Sequence, residues 1–81
     1  MMLEVLVFGP AALAAGADKV GVSVPESAAA GDVIAALHRH YPSLRFALES
    51  ARLAVNHAFV STDAPISATD ELALISLVGG G

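Results

Sequence analysis

The sequence contains no cysteine, which excludes disulfides, thiolate metal sites and a persulfide carried on a side chain. Basic residues are scarce: 4 Lys and Arg stand against 8 Asp and Glu, so the net charge is -4. That balance argues against nucleic acid or an anionic membrane as a partner, since either requires a basic patch. No apolar run approaches the roughly 18 residues of a membrane span, and residues 3–8 are too short for a signal peptide. We expect a cytoplasmic protein that binds neither nucleic acid nor membrane.

The sequence also lacks the patterns that small enzymes require. It has no Walker-type phosphate loop, no Ser-His-carboxylate arrangement and, in Lys19, a single side-chain amine. His38 and His40 lie two apart on a predicted helix, about 200° around its axis, so they cannot share a metal ion. His57, in a predicted turn, is interpreted as a solvated surface side chain. We therefore expect no bound cofactor, no metal site and no active site formed by this chain alone.

A chain of 81 residues has room for one domain, which buries only about 60–65% of the surface of its unfolded chain. Alternating apolar residues predict strands at residues 3–8 and 19–24, paired as a hairpin. A short helical turn is predicted at residues 11–15, in the connection between the two strands.

The apolar period changes to that of a helix over residues 28–41. Val33, Leu37 and Tyr41 fall on one stripe of this amphipathic helix. Ser27 is the only good N-cap candidate nearby, and we expect it to cap the helix.

Three short strands are predicted in the second half, at residues 52–55, 58–61 and 71–77, with a turn at Asn56-His57. The element order is therefore ββαβββ with one main helix. This order predicts an α+β roll in which the helix packs on one face of a sheet of four to five strands.

The last predicted strand is apolar on both faces. Leu72 and Leu74 lie on one face, and Ala73, Ile75 and Leu77 lie on the other. A central strand covered on both sides would explain this pattern, and so would a face that docks a partner. A single main helix can cover only one face of the sheet, which favours docking.

Charge is unevenly distributed along the chain. Beyond Arg52 the sequence carries Asp63, Asp70 and Glu71 and no Lys or Arg. Ordinary surface charge explains this pattern, and the alternative is electrostatic complementarity to a basic tail-binding channel, which would raise the association rate more than the affinity.

The chain ends in Val78, Gly79, Gly80 and Gly81, and three glycines at fixed positions are expected by chance in only about 0.03% of chains. Glycine has no Cβ, so this terminus could lie extended in a channel too narrow for other residues. Four residues reach roughly 13 Å. We expect a domain at residues 1–77 and an extended tail at residues 78–81, the alternative being an unselected, frayed end.

A free carboxylate at Gly81 is a poor electrophile, but it can attack the α-phosphate of ATP to form an acyl adenylate. A sulfur donor can then displace AMP and leave a thiocarboxylate. Partner enzymes would have to bind the ATP and supply the sulfur, because this chain has neither a phosphate loop nor a cysteine.

Several segments together resemble a known family. They are an opening strand Val-Leu-Val-Phe at residues 5–8, a helix end Leu-His-Arg-His-Tyr-Pro at residues 37–42, the run Leu-Ala-Val-Asn-His-Ala-Phe-Val at residues 53–60, Asp-Glu-Leu-Ala at residues 70–73 and the terminal di-glycine. With them the chain resembles, over essentially its whole length, the small subunit of molybdopterin synthase. That subunit is one of the ubiquitin-like sulfur carriers with a β-grasp fold and a mixed sheet.

The resemblance implies that Gly81 becomes a glycyl adenylate on an adenylating partner and then a thiocarboxylate, with Gly80 beside it in the partner's active site. The tail would enter the large synthase subunit and deliver sulfur to precursor Z in molybdenum cofactor biosynthesis, within a heterotetramer. ATP would be used by the adenylating partner. The implied partner interface comprises Phe59, Ile75, Leu77, Val78 and Gly79, with Phe8 less securely placed.

Two departures keep other functions open. The family often carries a Pro pair and then Ser or Thr before the di-glycine, where this chain has Ser76-Leu77 and Gly79. An ending of Val and three glycines is more typical of the sulfur carrier of thiamine synthesis. A ubiquitin-like modifier, whose tail is conjugated to a lysine or merely docks, is the remaining alternative.

Overall fold

The computed structural model describes residues 1–76. The predicted interface residues Leu77, Val78 and Gly79, and the predicted reactive glycines Gly80 and Gly81, lie outside the described residues. The strands are β1 (Met2–Val7), β2 (Lys19–Ser23), β3 (Ala51–Val55), β4 (Ala58–Phe59) and β5 (Leu72–Ser76). The helices are α1 (Gly9–Ala15), α2 (Ala30–His40) and α3 (Arg45–Glu49), and a 3₁₀ turn spans Pro42–Leu44.

The five strands form one mixed sheet in the order β2-β1-β5-β3-β4. Strand β5 runs parallel to β1, where Leu74 pairs with Val7, and antiparallel to β3, where Leu74 pairs with Leu53. The two hairpins, β1–β2 and β3–β4, are antiparallel. The α+β architecture predicted from the element order is confirmed.

One hydrophobic core lies between the sheet and the helices. Strand residues that alternate along β1, β2 and β5 point into it, because side chains on a strand alternate between the two faces. The helices and the 3₁₀ turn contribute Ala11, Val33, Leu37, Leu44 and Leu48 to the same core. Every helix therefore packs on one face of the sheet, and α2 is the main contributor, as predicted.

Helix α2 begins later than predicted, and Ser27 does not cap it. The N-cap residue is Ala29, whose N–H donates to the Asp32 carboxylate at 2.8 Å. Contacts between distant segments set this boundary: Ile66 N–H donates to the Ala28 carbonyl at 3.0 Å, and Ala29 forms an isolated bridge with Pro65. The capping propensity of Ser27 is weaker than these backbone contacts, which place the start of α2.

Gly31 brings the first turn of α2 against the loop that precedes β5. Its N–H donates to the Thr62 carbonyl at 2.8 Å, and a Cβ at this position would lie 3.1 Å from the same oxygen. Glycine is therefore required here because the two segments approach closely. Its backbone conformation is one that any L-residue adopts, so conformational freedom is not the reason.

Candidate functional site

The face of the sheet opposite the helices carries a continuous apolar surface. Cross-strand pairing places one row of residues over four strands: Leu6 pairs with Ala73, Ala73 with Ala54, and Ala54 with Phe59. Ile75 lies in the next row of the same face. We call this surface the open face, and it comprises Leu6, Phe8, Ala54, Phe59, Ala73 and Ile75.

A depression of about 320 Å³ lies in the open face. Its shape follows from side-chain size, because the two alanines of the row, Ala54 and Ala73, form a low floor between Leu6 and Phe59. Phe59 is 48% exposed and Phe8 is 53% exposed. Large apolar side chains this exposed beside a concave floor are typical of a protein interaction site.

The structure brings together the described members of the predicted interface. Phe59 and Ile75 both line the depression, and Phe8 stands beside Ile75. A second hollow of about 390 Å³ continues from there along Phe8, Gly9, Pro10, Ile75 and Ser76. Ser76 is the last described residue, so the apolar surface extends to the end of the described part of β5.

Arg52 steadies the aromatic ring of Phe59. Its guanidinium carbon lies 5.0 Å from the ring centroid, within the range of a cation–π interaction. Its Nη2 donates to the Val60 carbonyl at 3.5 Å. The ring therefore packs, at the edge of the open face, against a residue that pairs with Ile75 in the sheet.

The turn between β3 and β4 requires an unusual backbone. Asn56 has φ 52° and His57 has φ 71°, and positive φ at both central residues defines the type I′ hairpin turn. Glycine is usual at the second position, so a histidine there carries backbone strain. The turn points the His57 ring toward Glu71, with Nε2 and Oε2 3.2 Å apart.

Hydrogen bonds fix that turn to the segment before β5. Asn56 Nδ2 donates to Asp70 Oδ1 at 2.9 Å, and Asn56 Oδ1 accepts from the Glu71 N–H at 2.9 Å. Asp70 Oδ2 also accepts from the Ser67 N–H at 2.7 Å. The Ser67 bond and then the Asn56 bond hold the pKa of the Asp70 carboxyl below its usual value, because both favour the charged form.

Sequence reasoning missed the place of His57 in this surface. The side chain is exposed, as expected, yet it lines the depression together with Glu71. Proximity to Glu71, 14 residues further on, is invisible in the sequence. The available signal was its position in a tight turn immediately before the strand that carries Phe59.

The side chains of the open face are suited to binding a partner. Its side chains are apolar, with His57 and Glu71 at one end and Arg52 at the other. Within residues 1–76, no three His, Asp or Glu side chains are grouped so that they could hold a metal ion. In that same part of the chain no helix has the length and apolar character needed to cross a membrane.

Comparison with known protein families decides the identity of the fold. The model of the ThiS family matches residues 5–81, which is nearly the whole chain. The chain belongs to the ThiS family. This family is one of ubiquitin-like sulfur carriers with a β-grasp fold, which confirms the recognition made from the sequence motifs.

Solved structures agree with the ThiS-family assignment. SAMP1 from Haloferax volcanii is 28% identical, with a TM-score of 0.87 and 100% of both chains covered. The small archaeal modifier protein 1 of Methanosarcina acetivorans is 20% identical, with a TM-score of 0.78 over 99% of this chain and 96% of its own. A chain in the complex of subunits 1 and 2 of molybdopterin-converting factor from Helicobacter pylori is 23% identical, with a TM-score of 0.71 and 100% of both chains covered. The β-grasp fold expected from the sequence is confirmed by these matches.

Proposed function

We propose that this ThiS-family protein is the sulfur-carrier small subunit of molybdopterin synthase and acts in the cytoplasm. Gly81 is the group that reacts, and Gly80 lies beside it in the partner's active site. The open face binds the partner, together with Leu77, Val78 and Gly79. The chain itself supplies the acyl group, while the partners supply ATP binding, sulfur and the catalytic side chains.

The chemistry takes place at the Gly81 carboxylate. One carboxylate oxygen attacks the α-phosphate of ATP and pyrophosphate leaves, which gives an acyl adenylate and makes the carbonyl carbon electrophilic. A sulfide equivalent from the sulfur donor attacks that carbon and AMP leaves, so that one oxygen is replaced by sulfur. The thiocarboxylate sulfur then displaces an oxygen leaving group from a carbon of precursor Z, which gives an acyl thioester. Water hydrolyses that thioester, so the sulfur stays on the product as a thiol and the Gly81 carboxylate is restored.

The observation that carries this proposal is the continuity of the open face with the end of β5. Ile75 belongs to the open face, and Ser76 lines the hollow beside it. A partner seated on this surface would therefore receive the residues after Ser76 at its own surface. The absence of cysteine also supports a carrier whose sulfur is held on the terminal carboxyl group rather than on a side chain.

The proposed partners are the large subunit of molybdopterin synthase, in a heterotetramer, and an adenylating enzyme. Support for the first comes from the Helicobacter pylori complex of subunits 1 and 2 of molybdopterin-converting factor, one chain of which shares this fold. The two partners need the same Gly81 in turn. Both are therefore expected to occupy the open face, one after the other.

The test is intact-mass analysis after incubation with ATP, the adenylating enzyme of the same organism and a sulfur donor. We expect a gain of about 16 Da, since sulfur replaces oxygen, and its absence after deletion of Gly80 and Gly81, which removes the terminal di-glycine. The thiocarboxylate form, mixed with the large subunit and precursor Z, should yield molybdopterin. No mass gain with an adenylating enzyme that activates another carrier would contradict the proposal.

Two further candidates share the activation step and differ in the fate of the activated Gly81. The likeness to SAMP1 of Haloferax volcanii, at 28% identity over both full chains, favours a protein modifier. The ending of Val and three glycines favours the sulfur carrier of thiamine synthesis. Isopeptide adducts between Gly81 and lysines of other proteins would identify a modifier. Sulfur transfer into the thiamine thiazole, without molybdopterin formation, would identify the second alternative.

A further inference from the structure

We propose that the open face recognises one particular pairing on its protein partner: a large apolar side chain next to a basic side chain. The apolar side chain enters the depression over Ala54 and Ala73, and the basic one binds the carboxylates at the Glu71 end. This inference rests on the proposed function, because it specifies the partner surface that the sulfur carrier binds.

The floor of the depression is suited to the apolar side chain of the partner. Ala54 and Ala73 pair directly across β3 and β5, and the bulkier Leu6 and Phe59 flank them on the neighbouring strands. A depression of about 320 Å³ with apolar walls has room for a large apolar side chain. Such anchors, enclosed by a rim that excludes water, supply most of the binding energy in protein interfaces.

The charges next to that floor are suited to the basic side chain of the partner. Leu6 and Glu71 belong both to the depression and to an adjoining hollow that is also lined by Glu4, Asp70 and Lys19. Three carboxylates thus meet one amine there. Within the described part of the chain, neither Glu4 nor Asp70 takes part in a salt bridge, and the one ion pair of Glu71 there is with His57. We call Glu4, Asp70 and Glu71 the acidic end.

Two features keep the acidic end negative and in place. Asp70 is fixed by hydrogen bonds from Ser67 and Asn56, which also keep its carboxyl ionised. Glu4 pairs across the sheet with Gly21, which has no side chain to neutralise or cover it. A basic side chain from a partner would find a preorganised negative potential here, and that potential raises association rates above the neutral range.

The two ends of the open face differ in charge. Glu71, immediately before β5, and Ala73 and Ile75 within it occupy alternate positions and share one face, so the acidic end lies about 13 Å from Ile75, given roughly 3.3 Å per residue. The partner must therefore carry its basic side chain about this distance from the point where it receives the residues after Ser76. Arg52, at the Ile75 end, repels a basic group there and so opposes docking in the reversed orientation.

The experiment measures association with the cognate adenylating enzyme and with the cognate large subunit, at low and high salt. Glu71→Gln and Glu4→Gln each remove one negative charge from the acidic end. Glu49→Gln is the matched control, because Glu49 is exposed at the end of α3 in the helical layer. Ala73→Leu fills the floor without altering charge, and circular dichroism checks that every variant folds.

We expect Glu71→Gln to slow association with at least one partner about 3- to 10-fold at low salt, with the difference closing at high salt as screening removes it. Glu49→Gln should match the wild type. Ala73→Leu should speed dissociation about 10-fold or more, as loss of an interface anchor does.

Separate outcomes overturn the two proposals. Equal rates for Glu71→Gln and Glu49→Gln at low salt, with both partners, would overturn the acidic recognition. Wild-type dissociation rates in Ala73→Leu would overturn the apolar anchor. Wild-type binding without thiocarboxylate formation would overturn the proposed function and leave the surface recognition standing, whereas a wild type that binds neither partner would overturn both.

Discussion

The side-chain amide of Asn56 joins the β3–β4 turn to Asp70, with Nδ2 and Oδ1 2.9 Å apart. The same side chain accepts from the Glu71 N–H, and the Asn56 N–H donates to the Glu71 carbonyl at 2.8 Å. One residue thereby sets the position of the turn that carries His57 and of the segment that leads into β5. The geometry of the open face depends on this link.

Replacement of Asn56 separates the effect of its side chain from that of its backbone. Asn56→Gly keeps a residue that tolerates φ 52° and loses two side-chain hydrogen bonds, so we expect about 1–2 kcal/mol of destabilisation. Asn56→Ala should lose about 1 kcal/mol more, because alanine is strained at positive φ. Urea denaturation measures both. Equal stability of the two variants would contradict the assigned backbone requirement.

Asp70 predicts a specific acid dependence. Because the folded state lowers its pKa, its contribution to stability is fully present above the usual carboxyl pKa and is lost as the pH falls toward the lowered value. Asp70→Asn should be less stable than wild type at neutral pH, and the difference should shrink on acidification. Thermal unfolding between neutral pH and the acid limb measures it. Asp18→Asn, which removes a carboxylate at another exposed position, is the control for the change in net charge.

Gly31 should tolerate no side chain. Gly31→Ala would place a Cβ 3.1 Å from the Thr62 carbonyl oxygen, and we expect about 1–3 kcal/mol of destabilisation from the forced shift. Gly21→Ala is a matched control on β2, where the nearest atoms to an added Cβ lie at 3.8 and 3.9 Å. Chemical denaturation compares them. A Gly31→Ala protein as stable as Gly21→Ala would show that the α2 start can shift freely.

His57→Gly should stabilise the fold by about 0.5–1 kcal/mol, because glycine suits the second position of a type I′ turn and histidine does not. His57→Ala retains the strain and should not stabilise. The melting temperatures of the two variants test this difference. If His57→Gly also binds partners as the wild type does, the imidazole contributes nothing to the open face, and its only role would be to occupy the turn.

Phe59 should matter for binding far more than for folding. Phe59→Ala removes an aromatic that is 48% exposed, so unfolding should change little while partner affinity falls about 10- to 100-fold. Phe46→Ala is the control, since Phe46 is 77% exposed on the helical side and should leave affinity unchanged. Isothermal titration with the large subunit measures both. Equal affinities for the two variants would place the binding surface elsewhere.

Much of the fold follows from periodicity in the sequence. Alternation located β1 and β2 within one residue, because each has one face in the core. Runs of strand-forming residues located β3 and the start of β5 equally closely. Helix α1 was predicted as a turn at residues 11–15 but begins at Gly9, since Pro10 in its first turn suits a helix start.

Long-range contacts explain what the sequence could not provide. The start of α2 is fixed by Pro65 and Ile66, more than 30 residues away, and not by a local cap. The open face was anticipated through Phe59 and Ile75, which the family resemblance implied as interface residues, and the apolar outer face of the last predicted strand also indicated Ile75. Its acidic end could not be anticipated, because only the strand order brings Glu4 and Glu71 to one hollow.

The placement of β5 has a mechanical consequence. Strand β5 is hydrogen-bonded on both sides, parallel to β1 and antiparallel to β3, and it ends at the last described residue. A pull on the chain beyond Ser76 acts along the strand, so it loads both ladders in shear, and their hydrogen bonds must yield together rather than one by one. An edge strand in this place would have only one ladder to resist the same pull. With this topology, a partner can pull on the chain beyond Ser76 without unfolding the domain.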